Sequence, residues 1–230
     1  RRIEFDNDDL EDLKQNFQMF TEFVTPRISR SALTRYKGES NSYTTRAIAP
    51  GHQYIEKTIL MKGRYINQND LATKAKYAVI GRMVAKDLFK SEEPIGKYID
   101  VGTTAFKVVG VFQDDGGDRE ERYIYIPYTT RQSLEKGSDK IDQLIVTFPK
   151  EMGHAGAVAF ETSLKRYFKD KKSIDPKDPN GIYFQNLTDD LKQSQQFAVV
   201  LQLIVSFVGL GTLIAGIIGI SNIMVFVVKE

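Results

Sequence analysis

The chain has 230 residues and no cysteine, which excludes disulfides, thiol catalysis and cysteine-bound metal. Its 32 Lys and Arg stand against 30 Asp and Glu, and the net charge of +2 comes from balanced signs. No basic stripe carries interleaved aromatics, so nothing points to nucleic acid. The length fits one or two domains.

Arg1 to Phe5 reads as a short strand. Asp6-Asn7-Asp8-Asp9 then supplies capping side chains and negative charge for a first helical turn. Leu10, Leu13, Phe17 and Phe20 follow on one helical face, and Thr25-Pro26 ends that helix. Ile28 to Tyr36 and Tyr43 to Ile48 read as a hairpin around Lys37 to Asn41. Pro50-Gly51 marks a break before a short segment from Tyr54 to Met61. Tyr77 to Ile80 reads as a buried strand and Met83 to Phe89 as a short helix. Pro94-Ile95-Gly96 is a turn. Lys97 to Val101 and Ala105 to Phe112 make a second hairpin, and Gln113 to Arg122 an exposed loop.

Tyr123 to Tyr128 and Gln143 to Phe148 read as two further strands. Ala157, Phe160, Leu164, Tyr167 and Phe168 share a helical face, and Ile182 to Gln185 reads as a short strand. Thr188 stands where an N-cap is expected, with Asp189 and Asp190 in the first turn. The order is β-α-β, then a strand-rich block, then β-α-β again. This predicts an α+β fold in which a discontinuous domain carries an inserted, mostly β one.

The chain ends in an uncharged run from Phe197 to Val228. About 18 apolar residues suffice for a membrane-spanning helix, and this run is longer. No helix breaker separates it from Thr188, so one rod is expected to run from a soluble domain into the membrane. Gly211, Ala215 and Gly219 recur every four residues beside Gly216. Such a stripe lets another helix approach closely in lipid. Asn222 is a polar group that needs a partner in a bundle. The start at Arg1 without a signal peptide is read as that of a piece of a longer protein.

Chemistry is sparse. His52 and His154 have no metal-ligand partner at helical or turn spacing and read as ordinary surface histidines. The acidic cluster Asp114, Asp115, Asp118, Glu120 and Glu121 misses the EF-hand pattern and reads as a solvated loop. There is no nucleophile elbow, and Gly96-Lys97 is followed by Tyr98, so there is no P-loop. We assign no catalytic, metal or cofactor-binding residue and read the chain as a non-enzyme.

Three stretches in order carry a resemblance. They are Gly81-Arg82-Met83-Val84-Ala85-Lys86-Asp87-Leu88-Phe89, then Pro94-Ile95-Gly96-Lys97, then Phe106-Lys107-Val108-Val109-Gly110-Val111. They resemble the periplasmic core domain of MacB-like ABC transporter permeases, within the FtsX-like permease family. Gly63-Arg64-Tyr65 with Asp70 is similar to the segment just upstream, and Gly216 to Met224 to that family's second membrane helix. Ser221 departs from the pattern, where a larger apolar residue or methionine is expected. Gly81, Leu88, Phe89, Pro94, Gly96 and Gly110 are the motif positions, with structural roles.

The resemblance implies a two-lobed periplasmic domain. A porter-like lobe of β-α-β repeats would span 1–49 and 137–187. A β-rich, sabre-like inserted lobe would span 50–136, and a stalk and transmembrane helix 188–230. It implies a bacterial inner-membrane permease subunit that couples cytoplasmic ATP hydrolysis to periplasmic movement, exporting a substrate by mechanotransmission. ATP and Mg would sit on a separate or missing ATPase domain. Implied partners are that ATPase, a second permease copy forming a dimer, the lipid bilayer, and a periplasmic adaptor with an outer-membrane channel. Gly211, Ala215, Gly216, Gly219 and Asn222 would pack and couple the membrane helices. The rival reading is an extracytoplasmic sensor domain of a membrane signalling protein, which also needs a rigid helix across the bilayer.

Overall fold

A computed structural model describes residues 4–175, 178, 181–185 and 187–227. The chain divides into two compact units, Arg1–Glu151 and Met152–Glu230. The first is built on α1 (Asn7–Asn16), β1 (Phe23–Tyr36), β2 (Glu39–Ile48), α2 (His52–Ile55), β3 (Ile59–Gly63), α3 (Gln68–Ala72), β4 (Tyr77–Gly81), α4 (Arg82–Phe89), β5 (Tyr98–Val101), β6 (Thr104–Gln113), β7 (Tyr123–Pro127), α5 (Tyr128–Leu134) and β8 (Gln143–Thr147). The second holds α6 (Gly153–Lys171) and α7 (Leu187–Val227).

Among the described residues the eight strands belong to one sheet, ordered β2-β7-β4-β6-β5-β1-β8, with β3 beside β6. The extra pairing of β2 with β1 closes six strands into a ring. Two of its seams are parallel, β2–β7 and β4–β6. The boundaries expected at 50 and 137 lie inside the first unit, where β1 pairs with β5 and β2 with β7.

Alternation sorts the strand residues between two cores. Ala47, Ala78, Ile80, Val108 and Ile126 face the first, which α4 enters with Val84, Leu88 and Phe89. Ile48, Val79, Phe112 and Tyr125 face the second, covered by Tyr65, Ile66 and Leu71. On β6 alternation alone would put Phe106, Val108 and Phe112 on the same side. A bulge between the pairs Ala78↔Val108 and Val79↔Gly110 breaks it. Val111 therefore joins the first core and Phe112 the second.

Several expectations are corrected. α1 stops at Asn16, so of its expected face only Leu10 and Leu13 are buried. Phe17 is the C-cap, and Phe20 is half exposed beyond it. Thr25-Pro26 lies inside β1, where Pro26 pairs with Leu144. The expected first strand is a lone bridge between Phe5 and Ile141, with residues 1–3 outside the described ones. Residues 181–185 form no strand. α7 starts at Leu187, so Thr188 is helical rather than the cap. α2, α3 and α5 are short helices that no sequence period marks; α3 carries a reciprocal capping box between Asn67 and Asp70.

Candidate functional site: the motif core and the long helix

Gly81 ends β4 and serves as N-cap of α4. A Cβ there would stand 2.0 Å from the carbonyl oxygen of Glu121, so only glycine lets the chain after the acidic loop pass this close. From α4, Leu88 and Phe89 enter the first core, and the Phe89 ring lies 4.1 Å from that of Tyr36. Pro94 is buried, and Gly96 takes φ +82. Gly96 N–H donates to the Val108 carbonyl at 2.8 Å, and Val108 N–H donates to that of Lys97 at 2.8 Å. The turn is thus sewn to β6. At Gly110 a Cβ would meet the Arg64 carbonyl at 2.3 Å. All six motif positions therefore lie on or beside one closed ring of strands.

Glu92 anchors the hairpin tip to this turn. It accepts from Tyr36 Oη at 2.9 Å and Lys37 Nζ at 2.8 Å, with Lys97 at 3.3 Å. Those partners, Lys37 foremost, hold its carboxyl down at about 2. The acidic loop is likewise engaged. Glu121 accepts from Arg82 at 2.6 Å, Asp118 from Arg82 at 3.2 Å, and Glu120 lies 3.6 Å from Arg46. Among the described residues no His/Asp/Glu group is placed to hold a metal ion. An open polar depression of about 390 Å³ lies beside Glu39, Asp87, Lys90 and Arg122. Its charges are already matched, Asp87 taking Arg122 at 2.8 Å and Tyr43 at 3.1 Å.

His52 is a correction: it is fully buried rather than a surface residue. Its Nε2 lies 3.2 Å from Arg27 Nη2, and its Nδ1 3.1 Å from Tyr65 Oη. A guanidinium can only donate, so Nε2 accepts and the ring proton sits on Nδ1, facing Tyr65. Arg27 also pairs with Glu56. Burial, then the charges of Arg27 and Arg46, push His52 down to about 2. The neutral ring meets Tyr125 edge-on at 4.8 Å. This cluster locks α2 onto β1 and the second core. His154 is partly exposed.

α7 is one unbroken helix of 41 residues. Within it Val199–Ile218 is long and apolar enough to cross a membrane and is wholly unburied. Gly211, Ala215 and Gly216 lie on this bare stretch, with open space around both glycines. Gly219 and Asn222 are helical, but their side chains fall outside the described ones. Thr212 Oγ1 donates to the Gly209 carbonyl at 2.8 Å, so the hydroxyl is satisfied within its own helix.

Comparison with known proteins fits this picture. Two relatives named macrolide export ATP-binding/permease protein MacB match most of the chain. The one from Mannheimia succiniciproducens is 30% identical over 218 residues, and that from Vibrio parahaemolyticus 26% over 215. These alignments take in 93% and 92% of this chain but only 32% of each relative. The chain thus spans about a third of the length of the curated relatives it matches. Among solved structures, the periplasmic region of MacB from Actinobacillus actinomycetemcomitans superposes with TM-score 0.71 at 22% identity, covering 85% of both chains. The extracellular domain of the noncanonic ABC-type transporter YknZ from Gram-positive bacteria gives 0.60 at 21%, covering 75% of this chain and 86% of that one. At these identities the two structures speak to fold alone. Residues 1–160 match the family model described as MacB-like periplasmic core domain, and the chain belongs to that family.

Proposed function

We propose that this chain is the periplasmic part of an ABC-transporter permease subunit in a bacterial inner membrane, and that it transmits ATP-driven movement rather than conducting substrate. The observation that carries this reading is α7, an uninterrupted helix of 41 residues that includes a bare apolar span. At about 1.5 Å per residue it is roughly 60 Å long, about twice a hydrocarbon core of about 30 Å. A stiff rod of that length moves both ends together, whereas a flexible linker would absorb the motion. ATP and Mg bind an ATPase domain or subunit outside these residues. A second permease copy packs along Gly211, Ala215, Gly216, Gly219 and Asn222. The porter-like and sabre-like lobes are the parts that move, an adaptor and an outer-membrane channel complete the route, and export is the direction, as in the relatives' names.

The test is affinity capture of the complete gene product in detergent, with identification of co-purifying chains and assay of ATP turnover. An ATPase domain or subunit whose turnover is lost with its P-loop lysine is the expected result. A folded membrane protein with neither ATPase nor turnover overturns the proposal.

A further inference from the structure

Tyr98, Lys107 and Tyr77 stand in register on three adjacent strands of the ring, β5, β6 and β4. Their chain neighbours Ile99, Phe106, Val108 and Ala78 face the first core, so this row points outward. Tyr98 is 62% exposed, and Lys107 and Tyr77 are half-buried. The Arg64 guanidinium lies over the Tyr77 ring, 5.2 Å from its centre. Lys74 and Lys76, both exposed, lead into Tyr77. Their backbone is pinned. Lys74 N–H donates to the Leu71 carbonyl at 3.2 Å, Thr130 Oγ1 to that of Ala75 at 2.9 Å, and Lys107 N–H to that of Lys76 at 2.9 Å.

The carboxylates around this row are already taken. Asp70 holds Arg64, Glu93 holds Lys62, and Glu92 holds Lys37 and Lys97. Asp100, two residues along β5 from Tyr98, stands directly across from Arg35 on β1. Lys74, Lys76 and Lys107 form no ion pair among the described residues. The face therefore carries an uncompensated positive charge. Like charges on neighbouring positions of a sheet are mildly destabilising, so the fold itself gains nothing from holding these lysines together.

We propose that this face docks an acidic peptide segment of a partner protein, its carboxylates meeting Lys74, Lys76 and Lys107 and its stem packing on the Tyr98 ring. Such docking is independent of the ATP coupling in the preceding section. Two features select a peptide over the anionic surface of a bilayer. Strands about 4.8 Å apart hold the two tyrosines about 10 Å from each other on either side of Lys107, a preorganised platform that loses little freedom on binding. Lipid headgroups need no fixed spacing and are served by a basic run of any shape. Tyrosine is also enriched in protein interfaces, where its ring packs and its hydroxyl finds a partner. The lysines add steering and choice of partner.

The test titrates the complete protein, in nanodiscs of neutral phosphatidylcholine, with a fluorescent decaglutamate peptide read by anisotropy. The expected result is saturable binding that weakens about three-fold for each of Lys74→Ala, Lys76→Ala and Lys107→Ala, the scale of an exposed ion pair, and that high salt weakens further. Lys136→Ala, at an exposed lysine just past α5, leaves it unchanged. Acetylation of the parent protein gives a second reading that needs no substitution. Decaglutamate should slow modification of Lys74, Lys76 and Lys107 and not of Lys136. No binding, an equal loss with Lys136→Ala, or no selective protection overturns the proposal. Binding suppressed by phosphatidylglycerol in the nanodisc would assign the face to lipid headgroups and overturn it as well.

Discussion

The carbonyl oxygen of Glu121 lies 2.0 Å from the point where a Cβ on Gly81 would stand. The blocking atom is backbone, held by the Glu121 side chain on Arg82 at 2.6 Å, so it cannot swing aside. Gly81→Ala must displace either the start of α4 or the end of the acidic loop, and overpacking of this kind costs about 1–3 kcal/mol. Gly102 has open space around it and φ +62, so Gly102→Ala meets only backbone strain, about 1 kcal/mol. Chemical denaturation should rank G81A as the more damaging. Equal losses would mean that the contact relaxes freely.

Burial of a neutral His52 carries a pH dependence whose sign is fixed. Its folded value is lowered to about 2 from 6.5. The unfolded chain thus takes up a proton as pH falls through about 6.5, and the folded one does not until about pH 2. Stability from this group is complete above pH 6.5 and is lost as pH falls, by about 1.4 kcal/mol per unit. His52→Asn removes the titrating ring, so its denaturation free energy should fall less steeply between pH 7 and 5 than that of the parent chain. Parallel slopes would remove His52 as the cause.

How legible this fold was depends on the range of the contacts. Lys37-Gly38 with alternating flanks marks the first hairpin, and the pair takes φ +46 and +101. An uncharged run marks α7. The spacing of Val84, Leu88 and Phe89 marks α4. Those signals are local. The ring closes through β1–β5 and the parallel β2–β7 seam, pairings far apart in sequence that no local pattern announces. His52 read as a surface residue because Arg27, Tyr65 and Tyr125 reach it only by tertiary folding. Phe17 and Phe20 continued a helical spacing, yet the helix stops because the chain must turn into β1. Periodicity records which residues are apolar, not where the hydrogen-bond ladder ends. The small-residue stripe was legible, and Gly211, Ala215 and Gly216 stand exposed on α7.

Lys57 offers a stabilising change. It sits past the end of α2 with φ +52, a left-handed conformation that costs a non-glycine residue about 1–2 kcal/mol. Glycine gives part of that back as entropy of the unfolded chain. Lys57→Gly should therefore stabilise by about 0.5–1 kcal/mol, roughly 2 °C in Tm for a chain of this size. The same substitution at Lys86, inside α4 with ordinary helical backbone, should destabilise by about 1 kcal/mol. Melting curves of the two variants should shift in opposite directions. A common shift would show that lost charge, not backbone conformation, dominates.

If α7 works as a rod, its continuity matters more than its composition just before the membrane. Four residues, Gly-Ser-Gly-Ser, inserted after Gln195 would break the helix ahead of the apolar span at Val199–Ile218 while leaving that span and the first unit unaltered. Gly costs about 1 kcal/mol per helical position, enough here to favour a flexible joint. Four alanines at the same point rotate and lengthen the rod by about one turn but keep it stiff. The expected outcome is that the flexible insertion abolishes transport with ATP turnover retained, whereas the alanine insertion keeps a measurable share of transport. Gly219→Leu should give a third pattern, impairing helix crosslinking and coupling together, because it fills the close approach without softening the rod. Transport that survives the flexible insertion would eliminate mechanical transmission through α7, and the helix would then be only an anchor.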